Sequence, residues 1–154
     1  MAMLFILFQL DRDWYALDAA QVAEVLPLVH VKAIPQAPPG VAGVFTYRGA
    51  PVPVIDLSQI TLDRPARARL STRLILVHYH DTTGARRLLG LIAEQATETM
   101  RREREDFVPS GVTAAFLGPV ATDARGLIQW VDVDQLLPAS VRDVLFTETV
   151  GEGA

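Results

Sequence analysis

The sequence predicts a mainly β protein built of two similar units, and three observations carry that expectation. Apolar runs of strand length, rich in β-branched and aromatic residues and bounded by Gly, Pro and Asp, recur along the 154 residues. Helical periodicity is confined to short pieces. The first half also lies on the second at an offset of roughly 75 residues.

Three anchors define that repeat. Leu4 to Leu10 running into Asp11 parallels Leu74 to His80 running into Asp81. Ala16 to Glu24 parallels Gly90 to Glu98, with Gln and Glu three apart in both. Ile55 to Ile60 parallels Val131 to Leu136, each a strand end entering a short helical turn.

Taken in order, Met1 to Phe8 is apolar, but no basic residue precedes it and Asp11-Arg12-Asp13 ends it early, so it reads as a strand and not a secretion signal. Gly43 to Leu57 reads as strand, tight turn, strand, with Arg48-Gly49 at the corner. Pro51 and Pro53 lack an amide donor, which places the second strand at an edge or in irregular pairing. Thr61 to Thr72 has no apolar period and holds Pro65 with Arg64, Arg67 and Arg69, followed by Arg73, so it reads as a linker or loop. Arg101 to Ala115 is a second irregular stretch whose opening charges read as a solvated face. The best helix is Val141 to Phe146, with Ser140 placed to cap it and Asp143 three residues on. Glu148 to Ala154 reads as frayed.

Composition narrows the function. A chain with 50% hydrophobic residues can bury a substantial core. A formal net charge of −4 argues against nucleic acid or an anionic membrane as partner. The absence of cysteine removes disulfides, thiol nucleophiles and the commoner structural zinc sites. No run approaches the ~20 apolar residues of a membrane-spanning helix, so direct insertion is not expected.

Catalytic patterns are missing. There is no Gly-x-Ser-x-Gly, no phosphate-cradling glycine loop, and Lys32 is the single lysine, so no enzyme activity and no nucleotide cofactor is expected. His78 and His80 share a strand face and could in principle share a metal, but they are read as a half-exposed pair at a strand end. Asp132 and Asp134 lack a third ligand and are read as a solvated helix entrance.

Arg48 admits two readings. It could be a surface arginine pairing with Asp56 or Glu24, worth ~0–1 kcal/mol if exposed. Alternatively, a guanidinium fixed on a rigid turn can present its fork of donors to a partner. The run Gly-Val-Phe-Thr-Tyr-Arg-Gly-Ala-Pro-Val-Pro-Val-Ile-Asp-Leu from Gly43 resembles the signature of CheW-like chemosensory coupling proteins. Val22-Ala23-Glu24-Val25, Ile34-Pro35 with Pro38, and Gly90-Leu91-Ile92 extend the likeness from Phe5 to Leu137. Glu94 and Ala96 depart from the Asp and Val usual in the family, and Tyr47 stands where Leu is frequent.

The resemblance implies a single domain over residues 1–154, with two packed SH3-like five-stranded β-barrels and short helices. The first barrel would span about 14–70 and the second about 73–137, completed by the N-terminal strand and the C-terminal helix. It implies a non-catalytic cytoplasmic adaptor, recruited to membrane receptor arrays through its partners. Those partners would be the cytoplasmic hairpin of a methyl-accepting chemoreceptor and the regulatory domain of a CheA-type histidine kinase. Implied contact residues are Glu24, Val25, Gly43, Tyr47, Arg48, Gly49, Asp56 and Gly90. The Tyr-Arg-Gly variant and the small size are reminiscent of couplers in surface-sensing, Wsp-type pathways. The rival expectation is a small barrel binding an oligonucleotide or oligosaccharide, against which the acidic balance and scarce exposed-looking aromatics count.

Overall fold

The computed structural model describes residues 2–112 and 116–146; the frayed end expected at 148–154 and residues 113–115 of the second irregular stretch lie outside the described residues. The described chain forms β1 (Met3–Leu10), β2 (Asp13–Asp18), β3 (Val22–Pro27), β4 (Val41–Tyr47), β5 (Ala50–Asp56), α1 (Leu57–Leu62), β6 (Arg73–His80), β7 (Arg86–Arg102), β8 (Leu117–Asp123), β9 (Gly126–Val131) and α2 (Ala139–Arg142). Three 3-10 turns, at Ala19–Gln21, Arg104–Asp106 and Val133–Gln135, complete the list of regular elements.

The fold is mainly β, and the strands form one continuous hydrogen-bonded path, β3-β6-β7-β1-β2-β9-β8, with β5 added to β7 and β4 to β5. The 17-residue β7 divides it. Its first half pairs with β6 through Arg86–Ala93 and with β5 in parallel through Gly90–Ile92, whereas its second half pairs with β1 through Glu94–Arg102. Each half therefore holds five strands when β7 is counted twice, but neither closes into a barrel through a continuous ladder. A single bridge spans each gap, Lys32 to Val44 in one half and Val108 to Val120 in the other.

The repeat survives as topology, with β1 standing for β6, β2 for the first half of β7, and β9 for β5. Even the parallel contacts correspond: Ala16 faces Trp130 as Gly90 faces Val54. Asp56 caps α1 through the Ser58 and Gln59 amides, and Asp132 caps its 3-10 turn through the Asp134 amide. The strands do not divide at about 70, however. One sheet draws on β3 to the first half of β7, and the other on β1, β2 and the rest, because β1 finds its antiparallel neighbour in the second half of β7.

The central strands are apolar on both faces, as strands between two cores must be. Phe5 and Leu7 of β1 pack with Met100, Phe107 and Ile128 inside one sheet, while Phe8 and Leu10 enter a core shared by both sheets. In β6, Leu74 and Leu76 fill the other sheet's own core, and Ile75, Val77 and Tyr79 face the shared one.

One expected loop is more ordered than the sequence suggested, and one expected helix starts earlier. β7 continues through Arg102 into the stretch expected to be irregular, and there the Glu103 amide donates to Asp106 at 3.0 Å. The helix expected at 141–146 begins instead at Ala139, behind Pro138, so Ser140 lies within its first turn and makes no cap.

The β6–β7 turn is tied by Asp81, which accepts from Thr83 Oγ1 at 2.6 Å, from the Thr83 and Ala85 amides at 2.9 and 3.0 Å, and from Arg87 Nε at 2.9 Å. The Thr83 hydroxyl and then the Arg87 guanidinium hold its carboxyl well below the usual range. A depressed carboxylate stabilises the fold fully above its unfolded value, near 4, and loses that contribution as pH falls toward the folded value. Thermal melts from pH 7 down to pH 2 should therefore fall less steeply below pH ~4 for Asp81→Asn than for the parent, and parallel curves would contradict this.

Candidate partner-binding site

The β4–β5 hairpin ends where Tyr47 pairs with Ala50, leaving the two-residue turn Arg48–Gly49 with φ of 51° and 82°. Two successive positive φ values match the turn that suits the twist of a tight hairpin. β5 pairs with β4 along its length but meets β7 only through Val54–Asp56, so Pro51 and Pro53 sit outside that second ladder.

Gly43 has a different task. Its φ is 145°, and a Cβ there would stand 2.0 Å from the Lys32 carbonyl oxygen. That carbonyl accepts from the Val44 amide at 2.9 Å, and the Lys32 amide donates to Val44 O at 2.8 Å. The missing side chain at Gly43 thus lets the chain leaving β3 cross onto β4.

Three side chains converge at the corner. Tyr47 Oη donates to Glu24 Oε1 at 2.5 Å, Arg48 Nη2 lies 4.0 Å from the same oxygen, and the guanidinium sits 5.1 Å from the Tyr47 ring centroid. The bond to Glu24, aided by desolvation, pushes the Tyr47 hydroxyl above its ordinary value, against the pull of Arg48. Arg48 is only lightly held, with its side chain 80% exposed. Beside it a cleft of about 600 Å³ is lined by Leu26, His30, Phe45, Tyr47 and Arg48.

Glu24, Tyr47, Arg48 and Gly49 are therefore brought together, with Gly43 supporting them from beneath. The other three expected residues are turned inward. Val25 packs against the shared core. Asp56 is buried, its carboxylate taken by the amides of Ser58, Gln59 and Ala66, so Arg48 pairs with Glu24 alone of the two candidates. Gly90 is buried between Leu74 and Val54, where an added Cβ would meet side-chain carbons at 3.1 and 3.2 Å.

The other sheet carries an equivalent corner that the sequence reading missed. In its β8–β9 hairpin, Arg125 reaches Glu98 Oε1 at 2.6 Å, also bonds Asp123, and stacks 5.5 Å from the Trp14 centroid. Glu98 is the repeat partner of Glu24, so the offset alignment could have located it. Unlike Arg48, Arg125 is fully engaged and its side chain only 27% exposed.

The histidine pair separates. His80 Nδ1 lies 3.2 Å from both oxygens of Asp134, which also accepts the His80 amide at 2.9 Å. His78 is half-buried, and desolvation, then Arg86 and His80, pull it below its usual value. Among the described residues no three His, Cys, Asp or Glu side chains are grouped to hold a metal ion.

Comparison with known proteins places the family and the fold. The family model for the CheW-like domain matches residues 4–141. The chemotaxis protein CheW of Treponema pallidum is 24% identical over 138 residues, covering 84% of this chain and 78% of the relative. That of Klebsiella aerogenes is 24% identical over 138 residues, covering 86% and 80%. That of Helicobacter pylori is 26% identical over 105 residues, covering 68% and 61%. The crystal structure of the scaffolding protein TtCheW from Thermoanaerobacter tengcongensis shares the fold, with a TM-score of 0.79 and 24% identity over 92% of this chain and 91% of that one.

The two corner glycines should respond differently to alanine. Gly49→Ala meets no neighbouring atom and carries only the left-handed backbone cost of about 1–2 kcal/mol. Gly43→Ala adds a backbone clash to a positive φ and should cost more than Gly49→Ala in urea unfolding midpoints, with protection of the Val44 amide reduced. Equal losses would remove the close approach at Lys32 as the reason for Gly43.

Proposed function

The chain belongs to the CheW-like family, and from that premise we propose that it is a non-catalytic adaptor coupling a chemoreceptor to a CheA-type histidine kinase in chemosensory signalling. The observation that carries the site is the contrast between the two repeat-related corners. Arg125 is used up inside the fold, whereas Arg48 presents most of its donors to solvent from a rigid turn beside an apolar cleft. A fixed guanidinium next to exposed apolar surface suits a carboxylate-bearing protein partner.

The finer assignment gives one partner as the kinase's regulatory domain and the other as the receptor's cytoplasmic hairpin, with recruitment to receptor arrays through them. The surface-sensing assignment rests on the Tyr47-Arg48-Gly49 corner and the small size of the chain. No helix among the described residues is long and apolar enough to cross a membrane. The reading needs no chemistry from the protein. Two modest interfaces hold receptor and kinase in a set geometry, so that a small receptor motion biases the kinase between states. Joining the two contacts in one chain raises avidity while each stays reversible. Family membership disfavours the oligonucleotide or oligosaccharide barrel.

Arg48→Glu should leave unfolding free energy within about 0.5 kcal/mol of the parent, as surface substitutions usually do. Affinity for the kinase regulatory domain or the receptor tip should fall by roughly thirty-fold or more, the equivalent of ~2 kcal/mol for a reversed interface charge. Calorimetric titration and thermal melting on the same preparation test both. Unchanged affinity for both partners removes Arg48 from the site, and a large stability loss returns it to a structural role.

A further inference from the structure

The loop from Asp63 to Thr72 carries no regular structure, yet buried groups fix it at several points. The Ala66 amide donates to Asp56 Oδ2 at 2.9 Å and the Arg67 amide to Glu94 Oε2 at 2.6 Å. Thr72, buried, donates through Oγ1 to the Arg67 carbonyl, and its amide closes a turn onto Arg69 O at 3.0 Å. The Ser71 carbonyl accepts from the Ala96 amide of β7 at 3.0 Å. Asp56, Glu94 and Thr72 account for three of the four buried polar or charged residues among those described.

What this scaffold displays is Leu70, second in the turn and 97% exposed. An isolated exposed leucine is by itself ordinary. A leucine held out on a turn that buried carboxylates and a buried hydroxyl position is preorganised, so little freedom remains to be lost on binding. Its surroundings are cationic in an otherwise acidic chain. No carboxylate occurs from residue 64 to residue 80; Arg67 Nη1 lies a loose 3.9 Å from Glu94 Oε1 with its side chain still 52% exposed, and Arg69 is exposed with no carboxylate partner among the described residues.

We propose that the 64–72 turn is a second docking surface, on which Leu70 enters an apolar dimple of an acidic protein partner while Arg67 and Arg69 meet carboxylates on its rim. The proposal rests on the adaptor reading, which requires two surfaces, and supplies the one that the Arg48 corner does not. Charge complementarity selects the partner: a single apolar side chain among guanidiniums suits a carboxylate-rimmed protein pocket better than a bilayer, which rewards several inserted side chains.

The test titrates the full chain with the receptor tip and with the kinase regulatory domain from the same organism. Leu70→Asp and Arg69→Glu should each weaken one of these by ten-fold or more, leave unchanged the one that Arg48→Glu weakens, and keep the parental melting temperature. Leu70→Met should retain binding, and the affected affinity should fall as salt rises. If the parent binds both domains and Arg48→Glu weakens one, but neither loop variant changes either affinity, this proposal falls and the adaptor reading stands. If the parent binds neither domain, both fall. Two other outcomes overturn the proposal: co-sedimentation with phosphatidylglycerol vesicles that Leu70→Asp abolishes, or self-association that the same change abolishes.

Discussion

The architecture depends on one constraint, that a single strand must belong to two sheets. β7 has 17 residues, well beyond the ~3–10 usual for a strand, and an uninterrupted twisting ladder of that length would not serve two separate cores. The strand changes allegiance at Gln95, where φ is 53° and the register with β1 shifts between Leu7 and Gln9. A bulge of this kind re-aims the side chains that follow. Leu89, Leu91 and Ala93 face the shared core before it, and Ala96 faces the same core after it, the alternation having moved by one residue.

From that shared strand comes the near-symmetry of the two halves and also their difference in use. Each half ends its last hairpin in a corner arginine facing a glutamate on its opposite edge, at matching places in the repeat. In one half a tryptophan, a glutamate and an aspartate immobilise the cation. In the other a tyrosine takes most of the carboxylate, leaving the arginine outside. A fold that repeats itself can thus keep one copy of a device for cohesion and turn the other outward.

The sequence revealed the strands, the repeat and the exposed corner, because each is written in local pattern: apolar runs, an offset of matching residues, and an arginine-glycine pair between two strands. What it concealed depends on partners distant along the chain. Asp56 looked like a candidate partner for Arg48, but its carboxylate serves the first amides of α1 and the amide of Ala66, ten residues away. Glu94 registered only as a departure from a family pattern, although its longer side chain gathers Arg64 and the Arg67 amide beneath the loop. The place of β2 was hidden for the same reason: the first unit was expected to begin at about residue 14, whereas β2 pairs with β1 and β9 in the other sheet, and similarity along the chain does not say which copy a strand will pair with. The start of α2 was misplaced by local logic itself, a serine outranking the proline that precedes it.

The placement of β1 bears on how the molecule is made. Every strand of the sheet built from β3 to the first half of β7 has left the ribosome once residue 93 emerges, whereas β1 must wait for residues 94–102 and β2 for Gly126–Val131. At synthesis rates of ~5–20 residues per second, the oldest hairpin spends a few seconds or more with Phe5 and Leu7 lacking their final neighbours. The β1–β2 hairpin is thus made before the sheet that follows it in the chain yet completed after it, so its apolar face waits longer for burial than that of any strand in that sheet.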